Sequence, residues 1–146
     1  MRMLISNLIK NKKVKPENIL YINKEIHDFD FINTDQKLSD VLKIYESEIK
    51  PKGKKYLFLD EIQEINNWEK IINSLSQDYT QNYEIIITGS NANLLSTELS
   101  TYLSGRYVKF IVYSYSYTEF LEIKKMGAAS NLGTICKHHA AFFKIL

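Results

Sequence analysis

The feature that most limits how this chain can fold is Tyr56-Leu57-Phe58-Leu59, an uninterrupted apolar run that ends in the adjacent carboxylates Asp60 and Glu61. A run this short, bounded by Gly53 and by charge, suits a strand covered on both faces, as the strands of parallel sheets are. A second run of the same kind, Ile85-Ile86-Ile87, closes in Thr88-Gly89-Ser90-Asn91. Open α/β sheets bind ligands in the crevice outside the carboxyl ends of their strands, so the two polar clusters are expected on one edge. The plainer reading is that acids at a strand end terminate burial and favour the start of the next helix.

Helical patterns alternate with these strands. Residues 1–12 place Met1, Leu4, Ile5, Leu8 and Ile9 at helical spacing, and the pattern is already running at the first methionine, with no capping residue ahead of it. Pro16 closes this segment, and Ile19-Leu20-Tyr21-Ile22 reads as a strand ending at Asn23. Lys24 to Asn33 has no clean period and reads as loop. Thr34 is placed to cap a helix from about Asp35 to Ile49, with Leu38, Val41, Leu42, Tyr45 and Ile49 on one face. Asn66 or Asn67 is placed to cap a third helix, faced by Trp68, Ile71, Ile72, Leu75 and Tyr79.

Leu95, Leu99, Tyr102 and Leu103 make a fourth helical face, with Gly105 as its left-handed stop and Arg106 directly after it. Tyr107 to Tyr113 reads as a strand, and Ser116-Tyr117-Thr118-Glu119 as a capping box opening a helix through about Lys125. Strands alternating with helices at this spacing predict an α/β three-layer domain with a parallel sheet over residues 1–125. Residues 126–146, with Gly127, Ala128, Ala129, Ser130 and Gly133, read as a linker or the truncated start of a C-terminal region.

Composition narrows the function classes. A formal charge of +2, with scattered lysines, does not indicate a nucleic-acid partner. No run approaches the roughly 18 apolar residues of a membrane span, and no signal-peptide pattern precedes the first strand, so a cytoplasmic location without a membrane partner is expected. The single Cys136 fits a reducing compartment, and Cys136, His138 and His139 lack the second ligand pair of a zinc pattern. The ten tyrosines read as packing and interface residues. Only Arg2 and Arg106 are arginines, which singles out Arg106 beside a predicted strand.

Asp60-Glu61-Ile62-Gln63, Trp68-Glu69, Ile86-Ile87-Thr88-Gly89-Ser90-Asn91, Leu94-Leu95, Glu98-Leu99, Leu103-Ser104-Gly105-Arg106-Tyr107 and Thr118-Glu119-Phe120-Leu121 occur in this order. As an ordered set they resemble the prokaryotic AAA-type P-loop ATPases in which an ATPase core precedes a C-terminal domain of unknown function. Tyr56 to Glu61 is then similar to the Walker B strand. The resemblance implies ATP and Mg²⁺ as cofactors, Asp60 at Mg²⁺ through water and Glu61 as the water-activating residue. It also implies Ser90 or Asn91 in the sensor position and Arg106 as an arginine sensor or finger. For Arg106 the structural alternative is a cation interacting with the end of a helix.

The chain departs from that family at one point: no G-x-x-x-x-G-K-[ST] occurs in its 146 residues. The near miss at Gly53-Lys54-Lys55 has Glu48 where the first glycine belongs and Lys55 where the Ser/Thr belongs, and it precedes a strand. Residues 1–12 resemble the remainder of the phosphate-loop helix, so the loop and first strand are expected just upstream of Met1 and the P-loop-like sheet is expected to be incomplete. Its loss is expected to leave a gap in the sheet or to bring the strand at Glu84 to Thr88 directly against that at Tyr107 to Tyr113. Without the N–H nest and lysine of that loop the chain is expected to bind ATP weakly or not at all and to be inactive alone. The alternative function is a non-catalytic interaction module on an ATPase-fold remnant, acting through a protein partner or self-association. A metal nuclease using Asp60 and Glu61 lacks a further acid and lysine in a recognisable arrangement.

Overall fold

The computed structural model describes residues 1–78, 80–90, 97, 99–101, 103, 105–113, 116–127 and 140–145. The apolar run after Gly53 forms β2 (Lys55–Asp60), flanked by β1 (Ile19–Asn23) and β3 (Tyr83–Gly89), both parallel to it. Hydrogen-bonded on both edges and covered on both faces, β2 buries Leu57, Phe58 and Leu59 to 1% exposure or less. Two further strands, β4 (Tyr107–Val112) and β5 (Ala140–Ile145), complete a five-stranded sheet of order β1-β2-β3-β5-β4. The α/β class and the parallel core β1-β2-β3 agree with the P-loop-like arrangement expected from the sequence.

The expectation of a gap or a direct β3–β4 pairing does not hold. β5 stands between these strands, antiparallel to both, with Ile145 opposite Ile85 on one side and Tyr107 on the other. The physical reason is backbone satisfaction: an open edge on β3 leaves N–H and C=O groups unpaired, and the segment Ala140–Ile145 supplies partners on both sides.

Four α-helices accompany the sheet among the described residues: α1 (Arg2–Lys10), α2 (Asp35–Ile44), α3 (Trp68–Gln77) and α4 (Tyr117–Gly127). Strand residues alternate between faces. Leu57, Leu59, Ile85, Ile87 and Ile22 therefore share one face, where they form a core with Leu38 and Leu42 of α2 and Trp68 and Ile72 of α3. Phe58 and Ile86 are buried on the opposite face, at 1% and 4% exposure. Burying each such side chain contributes about 2–3 kcal/mol. Leu99 and Leu103, from the fourth predicted helical face, join the core fully buried.

Caps and turns explain the boundaries. Thr34 caps α2 by accepting from the Lys37 N–H at 3.3 Å. Beyond Ile44 the helix continues as one π turn, Tyr45–Ile49, and stops at Lys50 in left-handed conformation. The wider turn rotates the apolar stripe, so Tyr45 is buried while Ile49, expected on the core face, is 50% exposed. Asn67 does not cap α3 with its side chain; it is left-handed, with φ 57. Backbone bonds instead join the entries of α2 and α3, from Asn66 N to Asn33 O (2.9 Å) and from Asp35 N to Asn66 O (3.0 Å). The capping box forms as expected, the Ser116 N–H and hydroxyl both donating to Glu119 Oε2 and the Glu119 N–H donating to Ser116 Oγ. Tyr79, Asn91, Leu95, Tyr102, Cys136, His138 and His139 lie outside the described residues.

Candidate functional site at the carboxyl edge of the sheet

Parallel register brings the ends of three strands level. Asn23 lies opposite Asp60, and Leu59 opposite Ile87, which puts Asp60 beside Thr88. Tyr21, Asp60 and Thr88 share the sheet face of Phe58, and their side chains meet there. The Tyr21 hydroxyl donates to Asp60 Oδ2 at 2.9 Å, and the Thr88 hydroxyl donates to Asp60 Oδ1. Burial, followed by the hydrogen bond to Asp60, pushes the Tyr21 phenol above its ordinary pKa, against an opposing pull from Arg2, so it stays a donor near neutral pH. Asp60 is thereby fixed through both oxygens.

Glu61 leaves the strand in left-handed conformation, φ 56 and ψ 52, which costs a side-chain-bearing residue about 1 kcal/mol. The turn directs its carboxylate toward the end of β3. There the Ser90 N–H donates to Glu61 Oε2 at 3.1 Å, and Gln63 Nε2 donates to the same oxygen. Gln63 Nε2 also donates to Ser90 Oγ at 3.3 Å. The expected trio Asp60, Glu61 and Ser90 is thus brought together, with Asn91 beyond the described residues.

The first turn of α1 opens onto the same place. A cleft of about 420 Å³ is lined by Met1 to Leu4 together with Tyr21, Asn23, Glu25 and Asp60. Unpaired N–H groups and the helix dipole make such a first turn favourable for an anion, and Arg2 adds a cation. Among the described residues no group of three or more His, Cys, Asp or Glu could hold a metal ion. A Mg²⁺ ion takes one or two carboxylates and otherwise keeps water and phosphate oxygens. Asp60, already accepting two hydroxyls, suits a ligand acting through water.

Arg106 stands elsewhere. Register through β5 places Tyr107 level with Ile85, so Arg106, just before β4, lies at the opposite edge from Asp60. Four residues along the strands and three strand spacings across put the two backbones roughly 20 Å apart. The guanidinium donates to Asn73 Oδ1 of α3 at 3.2 Å. Lys54 and Lys55 also lie at that far edge, paired with Glu84 and Glu46.

The sequence pattern alone gives no role to Tyr21, Thr88 or Gln63. Thr88 and Gln63 belong to the motifs Ile86 to Asn91 and Asp60 to Gln63. Tyr21 is recoverable only by combining parallel register with face parity.

A family model described as "AAA domain" matches residues 3–121. An uncharacterized protein of Haemophilus influenzae is 39% identical over 130 residues, covering 89% of this chain and 32% of that protein. An uncharacterized protein of the archaeon Methanocaldococcus jannaschii is 36% identical over 129 residues, covering 88% of this chain and 27% of that protein. The chain therefore spans about a third or less of the length of these relatives. No solved structure matches it significantly. Among the described residues no helix is long and apolar enough to cross a membrane.

Proposed function

The chain belongs to the AAA-domain family, and from that premise we propose that its carboxyl-edge site serves the binding and hydrolysis of ATP in the cytoplasm. The observation that carries this is that Asp60 lines the cleft at the first turn of α1 and is followed directly by Glu61, whose carboxylate accepts from the Ser90 N–H at the end of β3. Mg²⁺, when bound, neutralises phosphate charge and orients the nucleotide. Asp60 would hold it through water, with the Tyr21 and Thr88 hydroxyls keeping that carboxylate in place. Glu61 is anchored through Oε2, which leaves Oε1 to take a proton from the attacking water. Ser90, or Asn91 after it, serves as the sensor near the terminal phosphate. Arg106 is too distant to act on its own chain's site and would serve as a finger only toward a neighbouring copy.

The 146 residues hold no glycine-rich phosphate loop. Most of the grip on a triphosphate comes from that loop's N–H groups and lysine, so the chain alone binds nucleotide weakly. A second reading, a non-catalytic interaction module on an ATPase-type fold, is favoured by the position of β5. It occupies the place between β3 and β4 where a phosphate-loop strand would stand.

Calorimetric titration with Mg-ATP separates the readings. The expected dissociation constant of the 146 residues is about 1 mM or weaker. Placing a glycine-rich loop ending in Gly-Lys-Ser ahead of residue 1 should give micromolar binding that Asp60→Asn weakens only when Mg²⁺ is present. Absence of binding in that longer form would leave the interaction-module reading in its place.

A further inference from the structure

We propose that Gln63 is the positioning residue for Glu61, clamping its carboxylate to the end of β3 so that one oxygen is held and the other is presented to water. This rests on the hydrolytic reading of Glu61, but its geometry stands independently. A carboxylate oxygen can only accept, so the amide nitrogen of Gln63 must be the atom facing Glu61. That nitrogen donates to Glu61 Oε2 and, at 3.3 Å, to Ser90 Oγ, while the Ser90 N–H donates to the same carboxylate oxygen. Three groups from two strand ends thus close one small network. Both donors converge on Oε2, which fixes the carboxylate plane without engaging Oε1.

The clamp is locally costly. With its nitrogen committed, Gln63 turns Oε1 into the protein, where that atom is buried and has no hydrogen-bond partner. A buried acceptor without a donor is destabilising, and so is the left-handed backbone of Glu61 two residues earlier. A glutamine serving only the fold would gain by exchange for an apolar side chain of equal length. Two unfavourable features at one corner, each holding the same carboxylate, are what a site residue kept for geometry would show. The link to Ser90 also gives a route by which a shift at the end of β3 reaches Glu61.

The test uses the 146-residue chain and no nucleotide. Amide hydrogen exchange by NMR is compared in wild type, Gln63→Met and Glu61→Ala. The expected result is faster exchange at the Ser90 N–H in both variants, by roughly fivefold in Glu61→Ala, which removes the bond itself, and by a smaller factor in Gln63→Met, which loosens its acceptor. The melting temperature of Gln63→Met should equal or exceed that of wild type. Unchanged Ser90 exchange in Gln63→Met, or a clear fall in its melting temperature, overturns the proposal. In the loop-bearing form, Gln63→Met should lower kcat by about tenfold at unchanged KM. It should add nothing to the loss caused by Glu61→Gln, and an additive loss would overturn the clamp. Because the exchange measurement needs no nucleotide, the clamp and the ATPase reading can fail separately.

Discussion

Replacing Asp60 by alanine tests whether the carboxyl edge is assembled in solution as described. Asp60 accepts from Tyr21 Oη at 2.9 Å and from Thr88 Oγ1, both half-buried. A hydrogen bond to a charged group contributes about 1.5–3 kcal/mol when its partner is left stranded. Here both hydroxyls regain water in part, which reduces each contribution to about 1 kcal/mol, so Asp60→Ala should cost about 2 kcal/mol. For a domain of this size that is a fall of about 6 °C in Tm. Asp60→Asn keeps an acceptor for one hydroxyl and should cost about 1 kcal/mol. Urea denaturation followed by circular dichroism measures both, and a double-mutant cycle with Tyr21→Phe should return a coupling of about 1 kcal/mol. A more stable Asp60→Ala, or zero coupling to Tyr21, would refute the hydroxyl clamp.

Two further outcomes concern the opposite edge. Tyr45, buried and close to Glu46, has its phenol pushed up to about 12 from the usual 10.0, and Tyr83 is raised by burial and its bond to Glu46. A folded-state pKa above the unfolded value gives stability that is complete below pH 10 and lost as pH rises through 12. Alkaline denaturation should therefore steepen in that window, and Tyr45→Phe should flatten it. Lys55, only 7% exposed, donates to Glu46 Oε1 at 2.5 Å and lies 4.2 Å from the Tyr83 ring centre. Lys55→Met should cost about 2 kcal/mol, less than a fully buried pair because Glu46 retains water and Tyr83, and Lys55→Met with Glu46→Met should recover most of it. Urea midpoints of the single and double variants check this.

The strands β1, β2 and β3 were legible because each is a short apolar run punctuated by turn residues and charge. The grouping of Asp60, Glu61 and Ser90 followed from the same pattern, since parallel strands put their carboxyl ends on one edge. Long-range pairing was not legible. Nothing in Ala140 to Ile145 marks it as the partner of β3 and β4, because that choice depends on which edges the rest of the sheet leaves open. The π turn at Tyr45 escaped for a local reason: one extra residue in a helical turn leaves the composition unchanged and only rotates the face. The separation of Arg106 from the carboxylates depends on strand direction and register, which hydrophobic pattern alone does not convey. Gln63 was visible in its motif, but its clamp on Glu61 requires the backbone to turn left-handed at Glu61.

The most direct test of an ATPase function for this site is the steady-state hydrolysis of Mg-ATP by the loop-bearing form, in wild type and in Glu61→Gln, with nucleotide affinity measured in parallel. The substitution keeps the size of the side chain and removes its basicity. Turnover should fall by at least about a hundredfold, the usual contribution of a general base, while affinity for Mg-ATP stays within a few-fold of wild type. Hydrolysis at an unchanged rate in Glu61→Gln would contradict the assignment of Glu61 as the water-activating base.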